Sequence, residues 1–277
     1  RARGGIVIAQ ANRSMPVTYG DAMIPLEDID YLIEVDEPLA THRPGAPDPI
    51  SDEIGQRIAS LCPEGASLQL GIGGIPDAVL RSLLDGRGYR IWTEMFSDGV
   101  LALEKAGCLD PTVPIVASII FGSAELYNWV DGNQRIRMLR TEKTNDPGGI
   151  ARHGKVFSVN GALQVDLFGQ ANATRAGQRL YSGFGGQTDF TVGALHSPGG
   201  TAIIALRSWH AKSGTSAVVP LLSTACTSFQ HSYIVTEHGA AAIWGNDART
   251  QSQNVLDQAA HPDARDQLRE AGRRLGL

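Results

Sequence analysis

An α/β architecture, with a mostly parallel sheet flanked by helices and additional hairpin strands in the second half, is the fold class this sequence predicts. Through the first half, apolar strand-like runs alternate with segments of helical period, the pattern left by successive βα units. In the second half the runs shorten and crowd together, as hairpin strands do. At 277 residues, 42% of them hydrophobic, the chain is long enough to bury a substantial core around such a sheet.

Residues 5–9 make the first strand-like run. A Pro/Gly-rich stretch at 41–49 reads as a flexible connection, so residues 1–45 form a lead-in arm and residues 46–277 the α/β domain. Asp48 and Pro49 supply a cap and a first-turn proline for a helix with Ile50, Ile54, Ile58 and Leu61 on one face. Ser67–Leu70 reads as a strand, Gly71-Ile72-Gly73-Gly74 as a turn, and residues 76–84 as a helix stopped by Gly86. A further strand ends at Trp92 or Thr93, residues 99–106 have helical period, and residues 113–121 form a long buried strand. Ser123 can cap a helix containing Leu126, Trp129 and Val130. Residues 155–168 read as two strands joined at Asn160-Gly161, a strong hairpin signal. Strands are expected at 201–206, 217–222 and 232–236, and an amphipathic helix at 262–275.

Composition removes several function classes. A formal net charge of -5 without any long Lys/Arg run offers no face to a nucleic-acid backbone. No apolar run approaches the roughly 18 residues that span a bilayer, and Arg1-Ala2-Arg3 leads into a strand rather than a signal peptide, so the cytoplasm is expected. Cys62, Cys108 and Cys226 are far apart and form no C-x-x-C pair, which favours small buried hydrophobes over a disulfide framework or zinc site. The seven histidines are scattered without H-E-x-x-H or an i, i+4 pair, and no metal is expected.

Three motifs can carry chemistry. Gly71-Ile72-Gly73-Gly74-Ile75-Pro76, between a strand and a helix, can aim backbone N-H groups at an anion; a tight turn that needs glycine explains it equally well. Thr93-Glu94-Met95-Phe96-Ser97-Asp98-Gly99 follows the next strand, and the ligand crevice of a parallel sheet lies outside the carboxyl ends of its strands. Glu94 is therefore placed for work, although a solvated loop carboxylate fits too, and Ser97 or Asp98 is suited to capping the next helix. Ser182-Gly183-Phe184-Gly185-Gly186-Gln187 is a second glycine cluster, suited to a wall that touches a substrate, or to a generic loop.

Taken together these segments resemble the acetyl-CoA hydrolase/transferase family, class I CoA-transferases that include 4-hydroxybutyrate and succinyl-CoA:acetate CoA-transferases. The carriers are GIGGIPDAVL at 71–80, TEMFSDGV at 93–100, TNDP at 144–147, VNGALQVDLFGQAN at 159–172, SGFGGQTDF at 182–190 and YIVTEHG at 233–239, in the family's order along nearly the whole chain. The resemblance implies a CoA-transferase-like fold, coenzyme A as the acyl-CoA substrate, a small carboxylate as acceptor, no metal, and an oligomer. It places the nucleophile on Glu94, a positioning amide on Asn145, an oxyanion donor on Gly185 and a second donor around Ile75. Gly73, Gly74, Ile75, Gly183 and Gly186 are the implied substrate- and coenzyme A-binding positions. Because family members carry a related α/β half before the region matched, residues 1–45 are expected to be the lead-in from an N-terminal half, and residues 46–277 the C-terminal catalytic domain. That half is expected as a further segment or a separate partner chain; no nucleic acid or membrane partner is implied.

Two stretches depart from the family's pattern. Cys226-Thr227-Ser228-Phe229-Gln230-His231 stands where relatives commonly have an Arg, and Ile243-Trp244-Gly245-Asn246 where they have a Leu-Arg-Gly-Lys-like segment. Coenzyme A contacts and acyl choice are therefore not inherited from the resemblance. Three functions are expected in turn: a CoA-transferase working through a glutamyl-CoA thioester, an acyl-CoA hydrolase using the same glutamate, and a catalytically silent acyl-CoA-binding or assembly module. No G-x-S-x-G elbow or Cys/His partnership supports a serine or cysteine hydrolase.

Overall fold

The computed structural model describes residues 3–42, 45–224, 226 and 230–277. Its centre is a six-stranded sheet of β1 (Ser67–Leu70), β2 (Arg90–Ile91), β3 (Val156–Gly161), β4 (Thr201–Ala205), β5 (Tyr233–Thr236) and β6 (Gly239–Ala242). The order across it is β6-β5-β4-β3-β1-β2, parallel throughout except for the β5/β6 hairpin. Neighbouring residues of one strand face different cores: Ile203 and Val235 join one apolar cluster, Ile204 and Ile234 another. Both faces of the sheet are thus covered, which is why its strands read as continuous apolar runs rather than as alternation.

The main helices are α1 (Pro49–Ser60), α2 (Gly74–Ser82), α3 (Asp98–Lys105), α4 (Ala124–Val130), α5 (Gln187–His196) and α6 (Pro262–Arg274). The expected caps of α1 and α4 are in place: the Asp48 carboxylate accepts from Ser51 N at 2.9 Å and Ser123 Oγ from Leu126 N at 3.2 Å. Ile54 and Ile58 are fully buried under α1, each stabilising by about 1.5–3 kcal/mol, whereas Ile50 stays 39% exposed. α2 starts at Gly74 rather than Pro76, because proline is tolerated within a first turn whose N-H groups have no intrahelical acceptor anyway.

Four expectations change. The Asn160-Gly161 hairpin does not form: β3 is parallel to β1 and to β4, and Gln164–Asp166 belongs to a separate sheet with Ala171–Asn172 and Val218–Val219. Two open edges on β3 outcompete a local turn. The long strand at 113–121 is split into Ile115–Ala117 and Ile119–Ile120, which pair in different ladders. Asp98 caps nothing in α3; its carboxylate accepts from Ser123 N at 3.0 Å and from Ser123 Oγ, tying α3 to the start of α4. The first strand is Ile8–Asn12, paired in parallel with Tyr31–Val35 in a two-stranded sheet apart from the central one.

The lead-in is nonetheless joined to the body. Tyr19–Gly20 pairs with Ile136–Met138, and Tyr127 Oη donates to the Ala40 carbonyl at 2.9 Å. Within the connection at 41–49, Arg43 and Pro44 lie outside the described residues.

Candidate active site

Glu94 sits where the chain passes from the central sheet to a small ladder. Behind it, Trp92 bridges Val116; ahead of it, Met95–Phe96 pairs with Ile119–Ile120. Its carbonyl accepts two N-H groups, from Ser118 and Ile119, each at 2.9 Å. That double acceptance occurs where the 113–121 strand breaks, so the interruption that periodicity does not reveal is what fixes the Glu94 backbone. Just beyond the carboxyl end of β2, the side chain is half-buried.

Asn145 reaches this carboxylate, its Nδ2 donating to Glu94 Oε2 at 2.9 Å. The turn that follows is capped by its neighbour instead: Asp146 accepts from Gly149 N at 2.7 Å. The Asn145 side chain is engaged by Thr144 and Glu94. Thr144, fully buried, holds the amide from behind: its Oγ1 lies 2.8 Å from Asn145 Oδ1 and 2.6 Å from Ser118 Oγ. Trp92 Nε1 donates to the Thr144 carbonyl at 2.9 Å.

The third wall is Gly186, the residue before α5. A Cβ there would lie 2.2 Å from Glu94 Oε2 and 2.5 Å from Asn145 Nδ2, so any side chain at 186 must displace the pair. α5 is drawn in by another close approach: at Gly193 a Cβ would come within 2.4 Å of Ile150, on the short helix Pro147–Ala151 that follows Asn145. Missing side-chain volume at Gly193 thus brings the Asn145 segment against the helix that carries Gly186. In the first turn of α5, Asp189 has its pKa raised, chiefly by burial and then by the charge of Glu94.

The remaining expected positions lie around this group rather than on it. Gly73, Gly74 and Ile75 line a cavity of about 650 Å³ with Asn160, Gly161 and Arg207 at the carboxyl ends of β1, β3 and β4. Gly183 lines a second cavity of about 450 Å³ that includes Arg175 and Cys226. Between them, Gln187 Nε2 donates to the Gly161 carbonyl at 3.2 Å, fastening the second glycine loop to the end of β3. Gly185 is exposed at φ 56°, and a Cβ added there meets nothing within 4 Å. Of the eight positions, Glu94, Asn145 and Gly186 are in direct contact. Ser118 and Trp92 carry no functional sequence signal, and Thr144 has only its place beside Asn145 in the TNDP segment at 144–147. Cys226 has its thiol pKa raised by burial and by Asp166, and Cys62 is pushed up to about 12 by burial, so neither is prepared as a thiolate. Thr227, Ser228 and Phe229 of the first departing stretch lie outside the described residues.

Comparison with known proteins assigns the chain. The family described as the acetyl-CoA hydrolase/transferase C-terminal domain matches residues 122–272. The chain belongs to the acetyl-CoA hydrolase/transferase family. Among members, it is 39% identical over 273 residues to 4-hydroxybutyrate coenzyme A transferase of Clostridium kluyveri, covering 95% of this chain and 63% of that protein. Succinyl-CoA:cyclohexane-1-carboxylate CoA transferase of Geobacter metallireducens is 38% identical, over 97% of this chain and 64% of its own length. The chain thus spans a little under two thirds of these relatives. In three dimensions it is similar to 4-hydroxybutyrate CoA-transferase from Porphyromonas gingivalis, with a TM-score of 0.86, 38% identity, and 98% of this chain and 66% of that one covered. RipA from Yersinia pestis is similar at a TM-score of 0.91 and 32% identity, over 98% and 63%. The acetyl-CoA hydrolase/transferase assignment and the CoA-transferase-like α/β fold both agree with what the sequence motifs imply.

Proposed function

We propose that the enzyme containing this chain transfers coenzyme A from an acyl-CoA to a carboxylate acceptor, with Glu94 as the nucleophile. One observation carries the reading: the Glu94 carboxylate, just past the carboxyl end of a parallel strand, is held by Asn145 against a glycine that leaves one side of it free of side chain. A carboxylate nucleophile, unlike a hydroxyl, needs no general base to take a proton from it as it attacks.

In the proposed sequence a Glu94 oxygen adds to the thioester carbonyl and the coenzyme A thiolate leaves, giving an acyl-glutamyl anhydride. The thiolate then attacks the Glu94 carbonyl carbon, expelling the first acid as its carboxylate and leaving a glutamyl-CoA thioester. An acceptor carboxylate repeats the exchange in reverse, which yields a new acyl-CoA and restores Glu94. The first step is uphill because a thiol of pKa about 8.5 departs less readily than a carboxylate, by roughly 5 to 6 kcal/mol. An oxyanion donor supplies about 3 to 4 kcal/mol, and backbone N-H groups at Gly185 and Ile75 are the proposed pair. The cavity bordered by Gly73 and Gly74 and the one bordered by Gly183 are the proposed seats of the acyl-coenzyme A body, whose binding energy can be spent on the transition state.

Glu94→Gln keeps the shape and removes the anion. In the full-length enzyme, turnover is expected to fall by about a thousandfold or more while acyl-CoA binding persists. Borohydride is expected to inactivate the native enzyme only after exposure to acyl-CoA, with mass spectrometry placing the change on the Glu94 peptide. Full turnover by Glu94→Gln, or labelling at Cys226 instead, defeats the proposal.

A second reading, hydrolysis by the same glutamate, is supported by the 31% identity to acetyl-CoA hydrolase of Candida albicans over 78% of this chain. Following free thiol and new acyl-CoA with and without acetate separates the two, since only a transferase makes new acyl-CoA. The lead-in sheet leaves Ile8, Tyr31 and Ile33 each more than half exposed. We propose that this apolar face packs against a further segment of the enzyme or a partner chain.

A further inference from the structure

The geometry points to Thr144 as a positioning residue that sets which end of the Asn145 amide faces Glu94. This rests on the reading of Glu94 as the nucleophile. An ionised carboxylate has no proton to give, so the 2.9 Å contact to Glu94 Oε2 requires the NH2 end of Asn145. Asn145 Oδ1 then faces Thr144 Oγ1 at 2.8 Å, and there the threonine hydroxyl donates. A hydroxyl has one proton, so in the 2.6 Å contact between Ser118 Oγ and Thr144 Oγ1 the serine is the donor. The other acceptor within reach, the Thr141 carbonyl, is farther away at 3.3 Å.

The result is a directed chain, Ser118 to Thr144 to Asn145 to Glu94, in which every donor points toward the carboxylate and each bond polarises the next. It closes on itself, because Ser118 N donates to the Glu94 carbonyl at 2.9 Å. Trp92 Nε1 pins the Thr144 backbone at the same time. Thr144 is fully buried, so water cannot replace its hydroxyl. Without that hydroxyl the amide is free to turn over and present its oxygen to the carboxylate, an arrangement that repels the anion instead of holding it. The residue touches neither substrate nor reacting atoms and acts entirely through Asn145.

The test measures single-turnover formation of the borohydride-trapped Glu94 adduct in the full-length enzyme. Thr144→Val, close in shape, is expected to slow trapping by about tenfold or more with acyl-CoA binding unchanged, and Thr144→Ser to restore it. In an Asn145→Ala background the Thr144→Val change is expected to cost nothing further, a cycle that a merely structural threonine would not satisfy. Wild-type trapping by Thr144→Val, or an equal loss with and without Asn145, overturns the inference. Should Thr144→Val fail to fold, Ser118→Ala runs the same cycle, with a smaller loss expected and the same result decisive. A native enzyme that traps nothing at Glu94 removes the proposed function and this inference with it, an outcome distinct from a trapped native enzyme indifferent to Thr144.

Discussion

At Gly73 the backbone stands at φ 118° and ψ 179°, a conformation open essentially to glycine alone, yet an added Cβ meets nothing within 4 Å. At Gly186 the backbone is ordinary, at φ -83°, yet a Cβ would strike the Glu94 carboxylate and the Asn145 amide. The two glycine positions look alike as sequence and answer to different demands, although Gly185, beside the second, stands at φ 56° and shares the demand of the first. The first needs glycine for the path of its own chain as it enters α2. The second needs it for the room it gives to side chains from elsewhere. Sequence clusters of glycine therefore do not report a common purpose, and substitution can tell the purposes apart.

The sharpest separation is expected from Gly186→Ala. The backbone accepts alanine, and the displaced atoms belong to the end of a side chain, so melting should shift by only about 1 kcal/mol or less. Turnover should fall by about a hundredfold, because displacing a reacting group by about 1 Å is enough. Unchanged turnover would mean that the Glu94–Asn145 arrangement is not the working one.

Gly73→Ala should behave in the opposite way, with a loss of about 1–3 kcal/mol from backbone strain. Gly71→Ala serves as its control, since Gly71 has neither positive φ nor a neighbour within 4 Å of an added Cβ. It should stay within about 0.5 kcal/mol of the native protein. Thermal melts of the pair check this; equal stability of both variants would break the comparison.

The smallest effect concerns Asp189. Its pKa lies above the ordinary value of 3.8 through burial and then the Glu94 charge, so between those two values the folded chain holds more proton than the unfolded one. Stability from this group is therefore present at low pH and lost as pH rises through the raised value. Glu94→Gln removes the second cause and should flatten that part of the melting profile in the acid range, which melts across that range in both proteins would measure. An unchanged slope would show that the two carboxylates do not sense each other.

Much of the molecule is legible in its local sequence. The caps Asp48 and Ser123, the strand Ser67–Leu70, the helix Pro262–Arg274 and the family's six segments are local patterns, and the neighbouring residues contain their cause. Glu94 and Asn145 can be named for the same reason. The Asn160-Gly161 hairpin does not form because strand pairing is a competition among all available edges, and β1 and β4 are remote in sequence from β3.

By itself, then, the sequence determined the α/β class, the starts of α1, α4 and α6 and the residue types able to do carboxylate chemistry. The tertiary structure alone decided that Asn145 reaches Glu94, that Gly193 lets α5 close on Ile150, and that Ser118 joins Thr144 behind the amide. Those facts depend on contacts between segments tens of residues apart, where the space left by one side chain fixes what its neighbour can reach. No periodicity or motif within a single segment records them.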